Sequence, residues 1–407
     1  MMLVLLVLGF LGITTSTIYT TLVVFGALRF AQHRRMARAS EFTPPVSLLK
    51  PLHGSEQELE LRLESFFQQD YPVFEILFCA RRDQDPGLSV AMRVAERYPH
   101  VPTKFLSCGE SPYANAKVWS LQRMQEAAEH RILVISDSDV SVTPDYLRAV
   151  VAPFADDRTG MVTCLYRGVA LPATTFEGRS FWSRLEAVGM SIEMSSGVLV
   201  AEMLEGMAFA LGPTMVVRRD CLDRAGGFTA IGEYLGDDFM LGNLMAAHGH
   251  KVVLSTHPIE HHILNTSFVS SARHQIRWMR STRFSRPKGH FGSVLTFSMP
   301  YGLLAAVNAL ALHQPVLAVF LFGWSWVTRV ALAALVGGLI VRDPHLWGNA
   351  FLYPVRDLLG FLFWNASYLG NEVLWRGEVY ELMRGGLMRN QSHSADGDPV
   401  PLGPSHP

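Results

Sequence analysis

Asp137 and Asp139 stand one residue apart, with Ser138 between them, at the polar end of the apolar run Ile132-Leu-Val-Ile135. Such a run, rich in β-branched residues, reads as a buried strand. Ligands of open α/β sheets bind beyond the carboxyl ends of the strands, so two carboxylates leaving this strand lie where a substrate sits. Hard divalent cations take oxygen ligands, and both acids can reach one cation held on a phosphate. The plainer reading is a strand that ends in an Asp-rich turn, as strands often do. Three further places carry the same kind of chemistry. Asp85 follows the apolar run Phe74–Cys79, and the pair Asp237-Asp238 opens an apolar helix. Acids at a helix start are stabilised by the helix dipole, and adjacent acids can also supply a general base. Lys117, between Asn115 and Trp119, is either a phosphate contact or an ordinary solvated lysine.

The elements that must carry these residues alternate. Val46–Leu49 reads as a first strand, and Leu59, Leu63, Phe66 and Phe67 mark a helix over 56–69 that Tyr71-Pro72 stops. A strand at 74–79, a helix over about 87–98 and a short strand at 103–106 follow. A helix reaching Glu129 then leads into the Asp-Ser-Asp strand, about the fourth. Strand-helix-strand alternation implies a mostly parallel sheet covered by helices. Beyond it, Thr143 as N-cap and Pro144 at the first turn predict a helix to Phe154, and 161–166, 212–218 and 252–255 read as strands.

The flanks are apolar. The chain has 407 residues, 49% of them hydrophobic, with a mean hydropathy of +0.18, high for a soluble protein. The excess is localised. Residues 2–30 hold no charge until Arg29, and Arg34, Arg35 and Arg38 follow, the pattern of an uncleaved anchor whose cytoplasmic side comes after it. Segments 291–312, 315–341 and 346–374 are long and apolar enough to span, although the third holds Arg356-Asp357, so that either the pair faces protein or a polar cavity or the segment is only partly inserted. The run 190–211 is interrupted by Glu193, Glu202 and Glu205 and reads as amphipathic, packed on the domain or lying at the membrane surface. One anchor and three spans put the C-terminus outside, whereas Arg376, Arg384 and Arg389 argue for inside, so one segment is interfacial or re-entrant, or 190–211 spans. The expected organisation is an anchor at 1–31, a cytoplasmic α/β domain at 44–288, membrane segments at 291–375 and a disordered tail at 390–407. The basic stretch Arg273–Lys288 reads as a membrane-surface anchor. Four scattered cysteines with no Cys-x-x-Cys pair argue against a zinc site or a disulfide framework, and a net charge of -1 gives no reason to expect a nucleic-acid partner.

Taken in order, Asp85, Asp137-Ser-Asp139, Asp238 and Gln275-Ile-Arg277-Trp278 resemble the D, D, D, (Q/R)xxRW signature of membrane-bound, family 2-like inverting glycosyltransferases. Val46-Ser-Leu-Leu-Lys-Pro-Leu-His-Gly54, Asp70-Tyr-Pro72, Asp85-Pro86 and Gly226-Gly227 narrow the likeness, over about residues 45–285, to the ceramide glucosyltransferase-like family (family 21), which includes bacterial hopanoid-associated enzymes. Two positions depart: His274 stands where the signature has Gln or Arg, with Gln275 beside it, and Asp237 stands where Glu is usual. The resemblance implies a GT-A domain, a UDP-sugar donor, a divalent cation (Mg2+ or Mn2+) and a membrane lipid acceptor. It implies Asp85 and Asp137 at the nucleotide, Asp139 with Asp137 at the metal, Asp238 as base, and Gln275, Arg277 and Trp278 around the diphosphate and sugar. His261, His262 and His274 are the weaker metal candidates, since sites of this kind use carboxylates. The competing activities are a processive polysaccharide synthase of the cellulose or hyaluronan type, for which three or four spans are few, and a non-catalytic membrane scaffold.

Overall fold

The computed structural model describes residues 1–36, 41–170, 181–263, 265, 267–375 and 377–391. Its centre is an eight-stranded sheet in the order β3-β2-β1-β4-β7-β6-β8-β5. The strands are β1 (Val46–Pro51), β2 (Phe74–Ala80), β3 (Thr103–Ser107), β4 (Ile132–Ser136), β5 (Val140–Ser141), β6 (Thr159–Ala170), β7 (Thr214–Arg218) and β8 (Lys251–Ile263). The first four run parallel, as the alternation predicts. β7 enters antiparallel between β4 and β6, so the sheet is mixed. Both faces are covered, which is why these strands read as unbroken apolar runs. Leu48, Ile76, Phe78 and Val134 pack into one core, and Leu49, Leu77, Leu133 and Ile135 into the other.

The covering helices begin with α1 (Met2–Met36), α2 (Leu59–Phe67), α3 (Pro86–Glu96) and α4 (Ala116–Ala127). Asn115 caps α4 by accepting from the Lys117 and Val118 N–H groups. α5 is short (Tyr146–Val151) and begins after Asp145, so Thr143 and Pro144 lie before the helix rather than at its start. α6 (Phe181–Val188) continues through a π-helical turn (Gly189–Met194) into α7 (Ser195–Glu205). α8 (Arg219–Arg224) and α9 (Asp237–Ala247) follow β7. β8 runs eight residues past the expected end at Ser255. Its ladder with β6 shifts register between Cys164 and Tyr166, opposite Ser255 and Ile259, so Pro258 sits where no ladder bond is required.

The final third is helical: α10 (Phe268–Ser285), α11 (Pro287–Gly292), α12 (Met299–Ala311), α13 (Pro315–Leu335) and α14 (Leu346–Ser367). Among the described residues, three helical stretches, Met2–Met36, Phe181–Glu205 and Pro315–Ile340, are long and apolar enough to cross a membrane, and a fourth is reached if Pro287–Thr296 and Met299–Ala311, bent by 46°, count as one. More than half of Phe181–Glu205 is buried against the rest of the protein. α1 and α12 pack closely through Gly9 and Gly12, where an added Cβ would meet Ala305 at 2.8 Å and the Tyr301 ring at 2.1 Å. α14 stops at Ser367, and β9 (Glu372–Trp375), β10 (Glu378–Leu382) and β11 (Met388–Asn390) form a separate antiparallel sheet, of which β9 overlaps the end of the expected segment 346–374. This sheet docks on the loop before α9 through Leu235 N–H to Gly386 O (3.2 Å) and Met388 N–H to Glu233 O (2.9 Å). Two arginines of the expected surface anchor are used here instead. Arg283 donates to Ser367 O (2.5 Å) and Gly370 O (3.0 Å), and Arg280 to the carbonyls of Glu372 and Leu369. Arg38, Arg376 and tail residues 392–407, which enter the topology and disorder expectations, lie outside the described residues.

α9 lies so close to the loop before β7 that the Cβ of an alanine at Gly242 would come within 2.4 Å of the Phe209 main chain. Gly242→Ala is therefore expected to cost about 1–3 kcal/mol through overpacking. Because α9 carries Asp238, activity should fall with it; thermal unfolding in detergent at the native midpoint would show that the helix tolerates the displacement.

Candidate active site

Asp85, Asp137 and Asp139 all leave the carboxyl ends of parallel strands. Asp85 follows β2 and spends both oxygens locally. Oδ1 and Oδ2 accept from the Gly54 N–H (3.0 Å each), and Oδ1 also caps α3 at the Gly87 N–H (2.8 Å). It thereby ties the end of β1 to the start of α3 along the crevice.

Asp137 and Asp139 have different surroundings. Asp137 Oδ1 lies 2.8 Å from Lys117 Nζ, which is itself 3.4 Å from Asp237 Oδ2. Lys117 is buried, so the solvated-lysine reading does not hold. Burial works against its charge, yet Asp137 and Asp237 hold its pKa well above the ordinary value. Burial raises the Asp137 carboxyl, opposed by Lys117. Asp139 Oδ2 meets His261 Nε2 at 3.0 Å. Burial pushes Asp139 up as well, but His261, Lys50 and Arg62 outweigh it and leave the carboxyl well below the usual carboxylate range. Burial lowers His261 in turn, and Asp139 more than restores it.

Asp238, at the start of α9, accepts from the Gly212 N–H (2.6 Å) and the Phe239 N–H (2.8 Å). Gly212 permits this approach, since a Cβ there would stand 3.1 Å from Asp238 Oδ2. Burial, reinforced by Asp237 and opposed by Lys117, raises the Asp238 carboxyl to about 6. A carboxylate tuned into that range is suited to take a proton near neutral pH.

α10 closes the far side. Trp278 packs against His274 (ring centroids 4.5 Å apart, planes tilted by 54°) and lies 6.4 Å from the His261 ring, which links the Arg-Trp pair to Asp139. Arg277 is half-buried on the same turn. Gln275 is buried and donates to Ser271 Oγ (3.0 Å) within its own helix. The three histidines separate: His261 serves Asp139, His262 Nε2 meets Ser141 Oγ (2.7 Å), and His274 Nδ1 meets the fully buried Glu186 (2.5 Å). The geometry thus unites Asp137, Asp139, Lys117, Asp237 and Asp238, with Trp278 joined through His261. Asp85 lies past the end of β2, one strand removed from β4, and Gln275 bonds within α10.

A divalent cation can be tested against these donors. Asp139 Oδ1 is buried without a hydrogen-bond partner, and the carboxyl is held ionised, which is what a hard cation requires. Among the described residues no three His, Cys, Asp or Glu side chains form a ready-made cage. The donors therefore fit an ion bound by one or two carboxylates and completed by substrate phosphates.

Sequence reasoning missed four side chains here: Lys50, Arg62, His261 as the partner of Asp139, and Glu186 behind His274. The adjacent histidines at 261 and 262 were the available signal, because on a strand they face opposite sides. The register Val140↔His261 brings the first of them to the motif.

The model of glycosyl transferase family 21 matches residues 7–388. The chain belongs to that family. It is a glycosyltransferase, and its mixed sheet with helices on both faces is the α/β GT-A domain the resemblance implies. Ceramide glucosyltransferase 1 of Caenorhabditis elegans is 25% identical over 365 residues, covering 86% of this chain and 74% of that one. Ceramide glucosyltransferase 3 of the same organism is 22% identical over 369 residues, covering 88% and 78%. Among solved structures, the mannosyltransferase PcManGT from Pyrobaculum calidifontis, in complex with GDP-Man and Mn2+, is 17% identical with a TM-score of 0.47, covering 87% of this chain and 99% of that one.

Proposed function

We propose that this family 21 glycosyltransferase moves a hexose, glucose or N-acetylglucosamine, from a UDP-sugar to a hydroxyl of a membrane lipid of the ceramide or hopanoid type, inverting the anomeric centre. The observation that carries the reading is Asp238: a half-buried carboxylate, raised to about 6, at the mouth of a sheet flanked by apolar helices. Asp238 takes the proton of the acceptor hydroxyl as that oxygen attacks C1 from the face opposite the diphosphate. Asp85 and Asp137 orient the nucleotide, with Lys117 fixing the Asp137 carboxylate. Asp139, with Asp137, would hold Mg2+ or Mn2+, which supplies charge neutralisation for the departing diphosphate. Arg277 pairs with phosphate oxygens, and Trp278 gives the sugar or lipid an aromatic wall. The domain faces the cytoplasm, as Arg34 and Arg35 in the last turn of α1 favour. The long buried helix Phe181–Glu205, between the domain and the other apolar helices, presents the lipid hydroxyl to the site.

The test is mass spectrometry of lipids from a host expressing the chain, beside the same host expressing Asp137→Ala. A hexosyl or N-acetylhexosaminyl lipid that appears only with the native chain names donor sugar and acceptor together. Identical lipid profiles, or a long polysaccharide product, would reject the proposal.

A further inference from the structure

Three consecutive carbonyls of the Asp-Ser-Asp turn are each held by a donor from a different element. Lys50 Nζ, at the end of β1, donates to Asp137 O at 2.5 Å. Arg62 Nε, from the middle of α2, donates to Ser138 O at 3.1 Å. The His262 N–H of β8 donates to Asp139 O at 2.8 Å. The third is a main-chain bond between neighbouring segments. The first two are unusual, because lysine and arginine are seldom fully buried and burying a charge is costly unless it is paired and hydrogen-bonded.

Lys50 and Arg62 are 0% and 1% exposed, among the largest fully buried side chains of the described residues. Each is committed to its place. The Lys50 ammonium lies 3.7 Å from the centroid of the Phe66 ring. Arg62 places its two terminal nitrogens on Gln57 O (2.7 Å) and Glu56 Oε2 (3.0 Å), leaving Nε for Ser138. Stability alone does not require this arrangement. Carbonyls at the mouth of a crevice can be hydrated, and buried charges can often be replaced by apolar side chains at little loss. The peptide planes set by these two bonds do, however, fix where the Asp137 and Asp139 side chains project.

We infer that Lys50 and Arg62 are positioning residues of the donor site, which hold the Asp137 and Ser138 peptide planes from behind so that both carboxylates meet the nucleotide diphosphate and its cation. The inference rests on the reading of Asp137 and Asp139 given under the proposed function. Outer partners of this kind typically govern metal affinity as strongly as they govern orientation.

The experiment uses the full chain in detergent and measures UDP binding with Mn2+ by titration calorimetry, with thermal unfolding alongside. Lys50→Met and Arg62→Met keep the side-chain length and remove the donor. Each is expected to weaken UDP·Mn2+ binding about tenfold to a hundredfold. Arg218→Met is the control. Arg218 also clamps two carbonyls, Thr159 O (3.0 Å) and Phe154 O (2.5 Å), but away from the site, so its loss should lower stability and leave UDP binding native. Where Lys50→Met does not fold, Arg62→Met decides by the same readouts. Native UDP·Mn2+ affinity in a folded Lys50→Met or Arg62→Met protein, with binding lost in Asp139→Asn, overturns the inference alone. Native affinity in Asp139→Asn as well overturns the reading of the motif, and the inference with it.

Discussion

Asp238→Asn is expected to lower kcat by about a hundredfold to ten-thousandfold, the usual contribution of a positioned general base. The amide has the shape of the carboxylate but no basic oxygen. Its one oxygen can serve only one of the Gly212 and Phe239 N–H groups that now share Asp238. Leaving the other unsatisfied costs about 1–3 kcal/mol of stability. Unfolding must therefore be followed beside activity. UDP·Mn2+ binding should persist in Asp238→Asn, because Asp137 and Asp139 are untouched. A folded Asp238→Asn protein with native turnover would remove Asp238 from the chemistry. The pH profile gives the same prediction independently. The base form is the carboxylate, so with a pKa near 6 activity should fall as pH drops through about 6 and level off above it. An acid limb at an ordinary carboxylate pKa would mean that another group takes the proton.

The two acids of the motif illustrate what a sequence can convey about such a site. The apolar run Ile132–Ile135 and the acids that end it are local features, and the strand and its polar terminus stand where the pattern places them. The same holds for β1 and β2, buried parallel strands, and for β3, the half-buried edge strand beside them. The direction of β7 is a different matter, because a short apolar strand reads alike in either orientation. β8 extends well past the expected 252–255, because the ladder accommodates Pro258 at a register shift and continues. The partner of Asp139, His261, lies in that continuation. Lys50 and Arg62 were hidden by composition, as cations default to the surface and only the fold shows what they face. Of the small C-terminal sheet, only β9 overlaps the expected apolar segment 346–374, and strands of three to five residues leave little pattern to read.

Arg356 and Asp357 are the reverse case, since a charge pair in an apolar segment demands partners and the structure supplies them. Arg356 meets Glu193 at 2.8 Å. Asp357 Oδ2 accepts from the Ser298 (2.9 Å) and Met299 (2.8 Å) N–H groups, capping α12 where the chain bends by 46°. Asp357 Oδ1 lies 3.5 Å from Arg329, 1% exposed on α13, which also reaches Thr296 O (3.1 Å) and, on α1, Thr20 Oγ1 (2.5 Å). One carboxylate therefore joins α12, α13 and α14, and through Arg329 reaches α1. Breaking a buried pair from one side leaves an uncompensated charge, so Asp357→Leu is expected to cost about 3–5 kcal/mol. Removing the stranded cation too should recover part of that loss, making Arg329→Met/Asp357→Leu more stable than Asp357→Leu alone. Thermal unfolding of the three variants in detergent reads both effects. A double variant no more stable than Asp357→Leu would assign the cost to the lost α12 cap rather than to the stranded Arg329 charge.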